Sequence, residues 1–257
     1  METSFGPYRI YVLLFLLVLI FIEVIWSIKL KKNVYSFKST IVNFGILIGF
    51  FFFKTVFASY QLTLLYFVNQ FRLFTIPNSI TTFIICFVLA DFIYYWFHRV
   101  SHTWKPLWAF HLIHHSSQEM NLTAAYRLNW MSSLISPLFF VPLAFLGFSP
   151  NFIVVSYALN LLYQFFLHTE SIGKLGFFEN VIDTPSSHRV HHGSNPIYID
   201  KNFGGVLIIW DIIFKTYQPE VEKVNYGITT GFISNNPFVL NFKGFWDLFN
   251  GKMKYKG

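Results

Sequence analysis

The chain has 257 residues, of which 54% are hydrophobic, 21% aromatic and only 12% charged. An ordinary soluble domain is about 25% charged, so the composition excludes that class and points to a membrane protein. The net charge of +7 comes with no nucleic-acid-binding motif and reads as membrane topology and attraction to anionic headgroups. The single Cys86 excludes an intrachain disulfide and a CxxC site.

The first apolar run, Ile10 to Ile28, carries Glu23 as its one charge. About 20 such residues cross a bilayer as a helix. It reads as a span and not as a cleaved signal peptide, because the basic cluster follows the run and no small-residue cleavage site is visible. A second stretch runs from about Ile41 to Val56 and continues less regularly to Val68, interrupted by Lys54. A third runs from about Ser79 to Trp96. Ser132 to Phe148 and Asn151 to Leu167 form a pair broken at Ser149-Pro150, a tight turn between antiparallel spans or the tip of a re-entrant pair. The tail from Asn241 sets Phe242, Phe245, Trp246 and Phe249 at helical spacing among lysines. It predicts a helix lying on the membrane surface, with core packing as the alternative. No repeat or linker divides the chain. The expected architecture is an all-α, multi-pass membrane bundle, one domain over residues 1–257.

Lys29, Lys31, Lys32 and Lys38 follow the first span. The positive-inside rule places that loop in the cytoplasm, the N-terminus outside and the C-terminus inside. The third span and the hairpin at 132–167 then deliver His98 and His168 to the cytoplasmic face, where the other histidines also lie. The lysines alone thus gather all nine histidines on one side. They also make the sequon Asn121-Leu122-Thr123 cytoplasmic and irrelevant to glycosylation.

His98 and His102 are four apart, one helical turn, and can grip one metal. His111, His114 and His115 form HxxHH, and His188, His191 and His192 repeat it; His168 stands alone at the end of a span. Adjacent side chains on a helix diverge by about 100°, so each HxxHH suits two metals better than one. An isolated histidine is more often a satisfied core or surface residue. Nine in converging segments exceed the four ligands of a structural zinc and suit two metals with four or five nitrogens each. Imidazole does not select among Zn, Cu, Fe and Ni.

HRVSH, HLIHH and HRVHH resemble the histidine boxes of the fatty acid hydroxylase/sterol desaturase superfamily of integral-membrane di-iron oxygenases. DFIYYWFHRVSH, HHSSQEMNLTAAYR, NLLYQFFLHTE and TPSSHRVHHGSNPIYIDKNFGGVLIIWD are most similar to its alkylglycerol monooxygenase branch, over roughly residues 90–230. Thr103 departs from the acidic residue which that branch carries directly after the second histidine. The resemblance implies two iron ions, O2, and hydroxylation of a C–H bond of a membrane lipid. On an ether lipid, hydroxylation beside the ether oxygen gives a hemiacetal that falls to an aldehyde and an alcohol. A desaturase of the same superfamily is the alternative; a non-enzymatic haem protein and a zinc hydrolase fit the histidine pattern less well.

Electrons must come from outside the chain, since no GxGxxG follows a strand. The donor is expected to be a reductase, a ferredoxin or a cytochrome b5-like protein, or the reduced pterin that the branch implies. Asp91 lies seven residues before His98, on nearly the same helix face, and could orient a ligand imidazole or serve helix packing. Glu170 follows His168 and is a further candidate. Asn121, Asn195, Asp200, Asn202 and Asp211 lie near the histidines, with turn and cap roles as the competing reading.

Overall fold

The long apolar runs become helices because nothing in them breaks the period. In the computed structural model, which describes residues 9–254, α1 is Arg9–Lys29, α2 Phe37–Asn69 and α3 Ile80–Thr103. These three are long and apolar enough to cross a membrane. Ser36 starts α2 by accepting from the Ser39 amide. A reciprocal capping box between Ser79 and Thr82 starts α3. The second apolar stretch is one unbroken helix through Lys54, whose ammonium lies over the Phe50 ring. At 33 residues it is about 50 Å long. It outreaches a hydrocarbon core of about 30 Å.

The pair at 132–167 forms as α5, Ser132–Leu146, and α6, Pro150–Phe165. They are joined at Gly147, whose φ of +117° suits glycine and whose missing Cβ would stand 2.0 Å from the Phe74 carbonyl oxygen. α5 has 15 residues, about 22 Å, and falls short of a full hydrocarbon core. Pro137 interrupts its ladder and frees the Ser133 carbonyl. Gln61 Nε2 donates to that oxygen at 2.9 Å.

Side-chain contacts set the directions of the helices. Gln61 meets Ser133, and Asn69 donates to the carbonyls of Ala144 and Phe148, so α2 and α5 run the same way. Phe83 packs on Phe152 and Tyr94 donates to Gln164, so α3 and α6 run together. The C-terminal ends of α3 and α6 therefore meet at one end of the bundle. Between these helices lies a core of Leu65, Cys86, Ala90, Phe140, Leu143, Ala144 and Ile153, in which Cys86 is a buried small hydrophobe.

A cap of short helices closes that end: α4 Lys105–His115, α7 Pro185–His191, α8 Ile209–Ile213 and α9 Pro237–Phe249. Among the described residues there is no strand, only an isolated bridge between Gly193 and Tyr226. The tail helix forms as α9 and packs one face on the cap. Leu240, Asn241 and Gly244 are buried against its neighbours, while Phe238, Phe242, Trp246 and Phe249 face outward. Residues 1–8 and 255–257, which carry the two chain ends, lie outside the described residues.

Gly244 lets α9 touch α4, because a Cβ there would stand 2.4 Å from the Ala109 carbonyl oxygen and 2.7 Å from its Cα. Gly244→Leu should destabilise the protein by about 1–3 kcal/mol despite better helix propensity, lowering the melting temperature read by fluorescence-detected size exclusion. Gly173→Ala, whose Cβ meets nothing within 4 Å, should leave it unchanged.

Candidate metal centre

α3 ends with His98 and His102 on one face. The chain then breaks at extended Trp104, and Pro106 starts α4 across the bundle end. α4 supplies His111, His114 and His115. Thr184 and Ser187 form a capping box that starts α7, a helix of one or two turns placing His188 and His191, with His192 at its C-cap. His168 follows the end of α6.

These segments bring all nine histidines together in two sets. His98, His102, His111, His115 and His191 form one, and His114, His168, His188 and His192 the other; within each, the ligating nitrogens lie within 4.8 Å of one another. The two HxxHH triplets act as crossed links. In α4, His111 and His115, one turn apart, join the first set while His114 turns to the second. In α7, His188 and His192 join the second while His191 turns to the first. The interleaving follows from the divergence of adjacent helical side chains.

Within the first set, His111 Nε2 lies 3.0 Å from His98 Nε2 and 3.1 Å from His115 Nε2. Within the second, His188 Nε2 lies 3.1 Å from His168 Nε2 and 3.2 Å from His192 Nε2. The outer nitrogens explain why these face inward. His98 Nδ1 donates to the Phe203 carbonyl at 2.9 Å, His168 Nδ1 to the Gln164 carbonyl at 2.8 Å, and His191 Nδ1 to the Lys201 carbonyl at 3.0 Å. A neutral imidazole has one proton, so each of these rings presents a bare Nε2 lone pair to the centre.

Burial, reinforced by neighbouring imidazoles, holds the rings of α4 and α7 below the usual imidazole range, which keeps them neutral. The Nε2 of His191 and both ring nitrogens of His102 are buried without a hydrogen-bond partner. Asp183 is fully buried 3.3 Å from His188 Nδ1, an ion-pair distance without hydrogen-bond alignment. Burial pushes its carboxyl well above the usual carboxylate range. Orphaned acceptors, converging lone pairs and a buried acid short of counter-charge all fit a pair of metal cations.

The other polar candidates are placed around this cluster. Asp91 touches no imidazole. It accepts from Asn160 Nδ2, the amides of Val206 and Leu207, and Trp210 Nε1. Asn121 caps the 3₁₀ turn Leu122–Tyr126 and donates to the Val34 carbonyl. Glu170 accepts from the Tyr226 hydroxyl. Asn195 bonds to Glu222, the Lys223 carbonyl and the Asn225 amide. Asp200 lies 3.6 Å from His102 Nδ1. Asn202 bonds to the carbonyls of Ser187 and Gln218, and Asp211 accepts from the amides of Phe203 and Gly204. Sequence reasoning missed Asp183. The signal was its place in DTPSSH, just ahead of a proline-started helix.

Asp183→Asn should weaken binding at one of two metal-binding events about 10–100-fold. Titration of metal-free protein with Co2+ would resolve them. Equal weakening of both events, or of neither, would take Asp183 out of this role.

Residues 83–216 match the family model for fatty acid hydroxylase. The chain is 45% identical over 190 residues to alkylglycerol monooxygenase of Xenopus tropicalis, covering 71% of this chain and 42% of the relative. It is 46% identical over 188 residues to that of Homo sapiens, covering 72% and 42%. Ornithine lipid hydroxylase OlsE of Rhizobium tropici is 30% identical over 146 residues, covering 55% and 44%. The chain thus spans less than half the length of these relatives. No solved structure matches it. The matched segment holds all nine histidines of both converging sets, and the chain belongs to the fatty acid hydroxylase family.

Proposed function

We propose that this chain is a membrane-bound, iron-dependent lipid monooxygenase. The observation that carries the reading is the pair of buried imidazole sets joined by crossed HxxHH links. Two relatives named alkylglycerol monooxygenase and one named ornithine lipid hydroxylase support oxidation of a lipid. All nine histidines would hold two irons, five imidazoles on one and four on the other. Irons bound there would supply O2 reduction, one oxygen atom entering a C–H bond and the other leaving as water, with two electrons and two protons from an external donor. That donor is a reduced pterin or a reductase, ferredoxin or cytochrome b5-like protein.

The chain's own residues do the rest. The carbonyls of Phe203, Gln164 and Lys201 keep three rings oriented. On the bundle side, Tyr94 packs 5.4 Å from His98, and Phe97 packs 4.5 Å from Phe139. This aromatic layer lies between His98 and the apolar core and would offer an apolar approach to a lipid chain. It supports the substrate class proposed: a lipid whose alkyl chain lies among the spans while its reacting carbon reaches the cluster. An alkylglycerol ether cleaved through its hemiacetal is the specific substrate proposed. The lysines after α1 support a cytoplasmic position for the cluster.

Protein expressed with iron and purified without oxygen should hold about two irons per chain, the number two imidazole sets of this size accommodate. With a donor and an alkylglycerol in the same membranes it should yield fatty aldehyde. His192→Ala should lower metal content and abolish turnover. A reproducible single zinc, unchanged by iron supply, would defeat the reading, and an alkene product would turn it to desaturation. Reporter fusions should place the N-terminus outside and the C-terminus in the cytoplasm; two cytoplasmic ends would overturn the proposed orientation.

A further inference from the structure

A cavity of about 310 Å³ opens between α4 and α9, away from the aromatic layer. Its floor is apolar, made by Trp108, Leu112, Phe232 and Met253. Its rim carries Lys243, Lys252, Lys254 and Asp247. Lys243 pairs with Asp247, which neutralises both. Lys252 and Lys254 are exposed and have no carboxylate at ion-pair distance among the described residues. The cavity thus combines an apolar floor with two uncompensated positive charges at its mouth.

The position of α9 tells what the mouth faces. Pro237 lies against Gly45 of α2, and Trp130 packs both on Gly49 and on Phe238 of α9. Gly49 is twenty residues before the end of α2 at Asn69, about 30 Å along the helix. That is one hydrocarbon thickness from the loop with Arg72 at the opposite end. α9 therefore starts at the level of the near membrane interface. There it turns Phe238, Phe242, Trp246 and Phe249, between 45% and 84% exposed, outward as one stripe. An aromatic stripe beside lysines at interface depth is how a helix beds into an anionic lipid surface.

We propose that this cavity binds the headgroup of an anionic phospholipid, its phosphate held by Lys252 and Lys254 and its acyl chains lying along the outer stripe of α9. Trp108 gives the site a consequence: its ring lies 5.3 Å from that of His102 and 5.6 Å from that of His115. A bound lipid therefore buttresses the wall of the first histidine set from outside. The inference rests on the membrane placement of α2 and not on the oxidation chemistry.

The test uses the whole 257-residue chain, metal-free, in detergent, with lipid adducts counted by native mass spectrometry. Phosphatidylglycerol should be retained over phosphatidylcholine. Each lysine near an anionic surface contributes about fivefold in affinity, so Lys252→Gln with Lys254→Gln should lower phosphatidylglycerol retention by roughly 25-fold. Lys174→Gln, an exposed lysine elsewhere on the cap, should not. Excess inorganic phosphate should fail to displace the lipid. Equal retention of both lipids, unchanged retention in the double variant, an equal loss in Lys174→Gln, or displacement by phosphate would each overturn the proposal. Because no iron is present, failure here leaves the monooxygenase reading untouched, and a zinc-only protein leaves this one untouched.

Discussion

An imidazole buried in an apolar protein has to find a partner for its one proton before its other nitrogen is free for anything else. Nine rings meet at one end of this bundle, and much of the cap answers that requirement. The proton acceptors for His98 and His191 are the carbonyls of Phe203 and Lys201, which lie on one irregular strap between α7 and α8. Asp200 and Asn202 within it adopt positive φ, a conformation uncommon for residues other than glycine. Two buried carboxylates fasten it. Asp211 accepts from the amides of Phe203 and Gly204, and Asp91 from those of Val206 and Leu207. Burial pushes the Asp211 carboxyl up to about 6, the cost of keeping an acid where it can grip the strap.

Asp91 thus acts at two removes. It reaches out of α3 to hold the strap, and the strap in turn orients the His98 ring of the same helix. Asn160 and Gln164 extend the arrangement across α6. Gln164 Nε2 donates to Asn160 Oδ1, Asn160 donates to Asp91, and the Gln164 carbonyl takes the His168 proton. Asp91 is thus tied on one side to the strap that holds His98, of the first set, and on the other to the residues of α6 that hold His168, of the second. Such a network rigidifies only when every member is satisfied.

Glu23 shows the same logic in α1. Its carboxylate accepts from the Tyr35 and Thr169 hydroxyls and from the Leu122 amide. The one acid of the first span latches that helix to the cap beside His168. On its other faces α1 packs Ile20 against Leu122, Tyr126 and Phe165 and leaves Phe15, Phe21 and Ile22 exposed. Glu23 and Asp91 tie their helices to the cap, Gln61 and Asn69 tie α2 to α5, and apolar side chains fill the core between them.

The chain's composition and runs of apolar residues by themselves determined the helical class, the three long helices, the turn at Ser149-Pro150 and the tail helix. Those depend on local hydrophobic period and on proline and glycine, which any window of the chain displays. The HxxHH spacing also foretold that neighbouring histidines diverge, because helix geometry is local. Tertiary structure alone decided which ring joins which set, since that depends on how α4 crosses α7. It alone decided that Asp91 grips a strap more than a hundred residues away and that Asp183 faces His188. Hydrogen bonds between distant segments leave no periodic trace in a sequence. They exist only once the helices have packed and water has been excluded.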